Sequence, residues 1–140
     1  VIDLCASDLY AKVQAIPAIA TATGLAVGGK SPDPGLTKMT LPAAWILFEA
    51  AQSTVDANSR LPSTNLPALL SYAVMLYVPY IGQQDLITNQ LPLIELVAKT
   101  VHGTEAPTGQ RWRFTTTKLV LVNPDRMGYR LTFLVDAGSL

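Results

Sequence analysis

The sequence predicts an α+β fold: a mostly antiparallel sheet with two main helices packed on one face, in the order α-β-β-β-α-β-β. Three observations predict it. Stretches 2–16 and 83–102 place apolar residues three and four apart, the spacing of a helix that buries one stripe. Runs 40–51 and 66–81 are nearly continuously apolar and rich in aromatic and branched residues, as buried strands are. The chain closes on RWRFTTTKLVLVNPDRMGYRLTFLV, residues 111–135, where two strand-forming stretches flank a turn. At 140 residues the chain is expected to form one domain, 1–140, long enough to bury a core.

The first helix aligns Ile2, Ala6, Leu9, Val13 and Ile16 on one stripe, with Asp3, Asp8, Lys12 and Gln14 on other faces. Pro17 ends it, because proline disfavours helical geometry in the residue before it. AIATATGLAV, 18–27, reads as a strand with a bulge at Gly24, and GGKSPDPG, 28–35, as a loop. Periodicity alone leaves 40–51 and 66–81 open between strand and buried helix. Pro42 and the Trp-Ile-Leu-Phe centre favour a central strand buried on both faces for the first. The second reads as its partner, with Tyr72, Val74, Leu76 and Val78 on one face. Polar, turn-rich 52–65 joins them as a loop, long for a small domain.

Helix 83–102 has Pro92 near its first turn or at a kink. Ile94, Val97 and Val101 share a face, Lys99 and His102 suit the negative end of the helix dipole, and Gly103 suits the position just past the helix. After the loop 104–110, the hairpin sets Trp112, Phe114 and Thr116 against Arg113, Thr115 and Thr117. Its second strand sets Tyr129, Leu131, Phe133 and Val135 against Arg130, Thr132 and Leu134. NPDRMG reads as the turn, with Pro124 fixing φ and Gly128 permitting a positive one.

Hydrophobic residues make up 49% of the chain and charged residues 14%, and ten basic residues balance ten acidic ones. So little charge argues against disorder and for apolar surface covered by a partner. A neutral surface favours association of copies and lacks the basic excess of a nucleic-acid binder. Cys5 and His102 are single residues of their kinds, so neither an intramolecular disulfide nor the usual Cys/His zinc cluster is expected. The acidic start VIDLCASDLYAK has no basic n-region, so no signal peptide is expected. The longest apolar run, 66–81, is short for a membrane span and bracketed by Pro67 and Pro79; a soluble protein is expected.

Candidate chemistry is sparse. His102 could act as a general base, but no motif surrounds it and a helix end is an ordinary place for histidine. Glu49 stands inside an apolar run, which suits either an acid of raised pKa or a charge at a strand end or subunit contact, paired with an arginine. Cys5 fits a small helical residue better than a nucleophile. AVGGK, 26–30, lacks the spacing of a phosphate loop. Arg111, Arg113, Lys118, Arg126 and Arg130 give the final hairpin a basic tint. With Trp112, Phe114 and Tyr129 this suits a stacking surface for nucleic acid or, better with zero net charge, a solvated or protein-facing strand face. Asp56 and Arg60 on the 52–65 loop suit ion pairs across a subunit contact. Glu49, Asp56, Arg60, Arg113, Arg126 and Arg130 are therefore the assembly-interface candidates. No catalytic residue, cofactor or metal is expected.

Four stretches carry a resemblance: LPAAWILFEAA, then ALLSYAVMLYVPY after a polar loop, LPLIELVAKTVHG, and the ending WRFTTTKLVLVNPDRMGYRLTFLVDAG. In this layout, over most of its length, the chain resembles the tail terminator (tail completion) proteins of long-tailed bacteriophages. The resemblance implies an α+β subunit of a homo-oligomeric ring, commonly of six copies. Such a ring caps the completed tail tube, stops its growth, and meets the head-tail connector and, in contractile tails, the sheath. It implies a virion protein of the tail or neck, assembled in the host cytoplasm, with no catalytic residues, no membrane and no specific nucleic acid as partner. Other phage neck and tail proteins share the layout. Two further readings stand beside it: a small enzyme or ligand-binding domain using Glu49, His102 and Arg113, and a nucleic-acid module using the basic hairpin.

Overall fold

The computed structural model describes residues 1–19, 21–25, 40–54 and 66–140. Helix α1 spans Ile2–Gln14, followed by strands β1 (Thr21–Leu25), β2 (Ala43–Ser53) and β3 (Ala68–Pro79). A short α2 (Gln83–Asp85), a π-helical turn (Leu86–Gln90) and α3 (Leu91–Val101) run on as the second main helix. The hairpin β4 (Arg113–Asn123) and β5 (Arg126–Asp136) ends the chain. The strands form one sheet in the order β1-β2-β3-β5-β4. β1 lies parallel to β2, and the remaining neighbours are antiparallel. The α+β class, the element order and the mostly antiparallel sheet are those the sequence predicts.

Four-residue spacing on α1 buries Cys5, Leu9 and Val13 against the sheet. From α3 come Leu93, Ile94, Val97 and Val101, and from the sheet Leu70, Tyr72, Val74, Leu76, Val78, Leu131, Phe133 and Val135. These alternate along β3 and β5, so one face of each strand builds the helix-side core. Two polar atoms tie α1 into it. The Tyr72 hydroxyl donates to the Ile2 carbonyl at 2.6 Å, and the Trp112 indole N–H donates to Asp8 Oδ2 at 2.8 Å. The Trp112 and Tyr72 rings meet edge to face at 5.4 Å. Burial holds the Tyr72 phenol well above its usual pKa, so it stays a neutral donor.

β2 was expected to be the central strand buried on both faces; β3 holds that position instead. β5 inserts between β3 and β4, and β3 buries Ala73, Met75 and Tyr77 on its second face as well. Among the described residues β1 pairs only with Ala43–Ile46, and β2 is exposed from Ala50 to Ser53. The register of β1 shifts between Thr23 and Leu25, the irregularity expected at Gly24. β2 runs through Ser53, two residues into the stretch read as loop; the rest of 52–65 beyond Thr54, and the 28–35 loop, lie outside the described residues.

Pro92 sits in the first turn of α3. It has no N–H to offer the carbonyl four residues back, and the preceding turn widens to π geometry. Asp85 braces that turn by accepting from Asn89 Nδ2 at 2.7 Å and Gln90 Nε2 at 3.1 Å; these bonds hold its carboxyl below the usual range. Gly103, with φ +80°, ends the helix as expected.

The hairpin departs from the sequence reading twice. Its turn is only Pro124–Asp125, and Gly128 lies inside β5 opposite Leu121. No side chain fits at Gly128: a Cβ would stand 2.9 Å from the Tyr77 ring and 3.0 Å from Leu121 Cβ. In β4 the register shifts between Phe114 and Thr116 and again between Leu119 and Leu121. Thr117, rather than Thr116, therefore follows Phe114 on the helix side, and Leu119 and Val122 continue that row.

Candidate functional site

Among the described residues β4 is an edge strand, paired only with β5. α3 covers only its beginning. Phe114, Thr117 and Tyr129 form the floor of a groove, and Leu91, Ile94, Glu95 and Ala98 of α3 form its wall, enclosing about 330 Å³. An adjoining hollow of about 250 Å³ shares Ala98 and Phe114 and adds Lys99 and His102. Toward the hairpin tip the row continues with no helix of the described residues above it: Leu119 is 44% exposed and Val122 66%.

The second main helix adds to the same surface. Ile87 is 52% exposed one turn before the groove residue Leu91. The Tyr80 N–H donates to the Asp125 carbonyl at 2.9 Å, which sets Tyr80 and Ile81 beside the hairpin tip, and Ile81 is 76% exposed. Apolar side chains gathered in this way make this the candidate contact surface. The strand edge itself is poorly suited to accept a further strand. Two bulges and the central Lys118 interrupt it, both devices that discourage edge pairing. The candidate surface is therefore the side-chain face rather than the strand edge.

The polar candidates scatter over the molecule. Arg130 and Glu49 form a bidentate ion pair, with Arg130 Nε donating to Glu49 Oε1 at 3.1 Å and Nη2 against Oε2. It crosses β3 on the side away from the helices, since Arg130 alternates with the core residues Tyr129 and Leu131. His102 sits at the end of α3, where its Nδ1 accepts the Phe114 N–H at 3.0 Å and secures the start of β4. Glu49 and His102 thus face opposite sides of the sheet. Arg113 stands apart from both, in a polar hollow with Arg111 and Asp136. Arg126 contacts Asp125 at 3.2 Å. Asp56 and Arg60 lie outside the described residues. Cys5 is fully buried. Among the described residues no group of His, Cys, Asp and Glu could hold a metal ion, and no helix is long and apolar enough to cross a membrane.

Sequence reasoning missed the hairpin-tip surface, although a signal for it exists. LVLV at 119–122 is continuously apolar where a strand with one solvent face should alternate. The Asp8–Trp112 bond left no such signal, because its partners are 104 residues apart.

No protein-family model matches the chain, and no curated protein does. Among solved structures the chain is similar to one from the virion of a native gene transfer agent (GTA) particle. The two share a TM-score of 0.54 at 14% identity, over 91% of this chain and 90% of that one. At that identity the likeness is one of fold, extending over nearly the whole of both chains.

Proposed function

We propose that this protein is a structural subunit of a phage-like virion, and within it the tail terminator. Copies form a ring, hexameric by the resemblance, that caps the tail tube, ends its growth and meets the head-tail connector; in a contractile tail it also meets the sheath. The observation that carries this reading is the fold shared, over nine-tenths of both chains, with a protein of a gene transfer agent virion. The exposed apolar surface at the hairpin end supports it, because a ring subunit must leave such a surface for its neighbours. A catalytic role has no comparable support: Glu49, His102 and Arg113 do not converge, and catalysis needs convergent groups.

A tail-completion assay tests the reading. Tubes assembled with this protein are expected to be of uniform length and competent to join heads, as seen by electron microscopy. Tubes that lengthen without limit in its presence, and that carry no density for it at their ends, would refute the terminator assignment.

A further inference from the structure

We infer that the polar hollow beside the start of β4 is a carboxylate-binding site, which receives an Asp or Glu side chain of a neighbouring virion subunit. The hollow encloses about 430 Å³ and is lined by Gly109, Gln110, Arg111, Arg113 and Asp136. The inference rests on the virion reading for its partner, but not for the site.

Two arginines and one aspartate line the hollow, and the aspartate is already engaged. Asp136 Oδ1 accepts the Gly138 N–H at 2.9 Å, and its backbone carbonyl accepts the Thr108 hydroxyl at 3.0 Å. Arg111 spends one N–H on the Gly103 carbonyl. The Arg113 side chain makes no hydrogen bond or ion pair among the described residues. The hollow therefore holds an excess of positive charge and unused donors in a fork that matches a carboxylate.

The backbone that presents the two arginines is fixed. Trp112, between them, is fully buried, and its indole is bonded to Asp8. Its N–H donates to the Thr104 carbonyl at 2.9 Å, and its carbonyl accepts the Gly103 N–H at 2.8 Å. Arg111 and Arg113 flank this anchor on the outward side of the strand. Little ordering entropy remains to be lost at the main chain when an anion arrives.

The same charges disfavour a nucleic-acid backbone. A polyanion needs a track of cations, and the other two arginines of the hairpin are committed, Arg130 to Glu49 and Arg126 to Asp125, which leaves Lys118 alone. One carboxylate with protein around it fits the isolated hollow. Pairing of this kind sets orientation and register between subunits more than it sets affinity.

Two experiments test the site. In the first, the arginine side-chain N–H and the Gly109 and Gln110 amide NMR signals are followed as sodium acetate is added at constant ionic strength. Saturable shifts confined to Arg111, Arg113, Gly109 and Gln110, and lost in Arg113→Gln, are expected. Shifts that are non-saturating, or equal at Arg126, would overturn the site. In the second, binding to tail tubes is compared across salt concentrations. Arg113→Glu is expected to weaken binding about tenfold, as for an opposed charge at a contact, with a flatter salt dependence, while Arg113→Lys retains part of it. Equal binding by wild type and Arg113→Glu would overturn the partner assignment. Absence of any wild-type binding would instead count against the virion reading, with the acetate result unaffected.

Discussion

Replacing Phe133 by alanine removes a fully buried ring that packs edge-on against Phe114 at 5.7 Å. The loss of apolar contact and the cavity left behind are expected to destabilise the fold by about 3–5 kcal/mol, read as a lowered thermal midpoint. Its burial was legible in the sequence, because alternation along 129–135 places Phe133 with Leu131 and Val135. Trp112 is a different case. The sequence left its ring open between core and interface, and it could not show its partner, since local pattern does not reveal a contact between the first helix and the last hairpin. Trp112→Phe keeps most of the apolar bulk and deletes the N–H that Asp8 accepts. A cost of about 1–3 kcal/mol is expected by chemical denaturation, and Asp8→Ala, which also removes the Asp8–Lys12 ion pair, is expected to cost less in that background than in the wild type. A full additive loss in the double variant would show that the two side chains do not interact.

Among the elements, β5 and its glycine show how tightly the hairpin fits the sheet. Gly128→Ala would push a methyl into the Tyr77 ring, which is itself buried, and against Leu121. A destabilisation of about 1–3 kcal/mol is expected, reduced when Tyr77→Leu is combined with it; a neutral Gly128→Ala would mean that the two strands lie further apart. The sequence placed this glycine in the turn because glycine near proline and asparagine is an ordinary turn signal. What reserved it for the strand was the approach of Tyr77 from β3, a non-local fact. The same limit hid the two β4 bulges and the central position of β3. Apolar pattern reveals that a strand exists and which face is buried, whereas register and neighbours depend on how other strands arrive. The helices and their ends were more legible, because Pro92 and Gly103 act within a turn of their own position.

At the level of the whole molecule the chain is neutral with few charges, and among the described residues the exposed large apolar side chains gather mainly around the hairpin tip and the second helix. Leu119→Asp with Val122→Asp is expected to leave the circular dichroism spectrum and melting behaviour close to wild type, since both side chains are substantially exposed, and to abolish assembly. Loss of fold in that variant would place these residues in the core instead. Replacing residues 54–63 by a short Gly/Ser linker tests whether Asp56 and Arg60 belong to a partner contact; a folded protein that no longer completes tails is expected. The central claim is association of copies into a ring, alone or on the tail. Light scattering of the free protein, and of the protein mixed with tail tubes, measures it most directly. A species of several subunit masses in at least one condition is the expected result, and a strictly monomeric protein in both would contradict it.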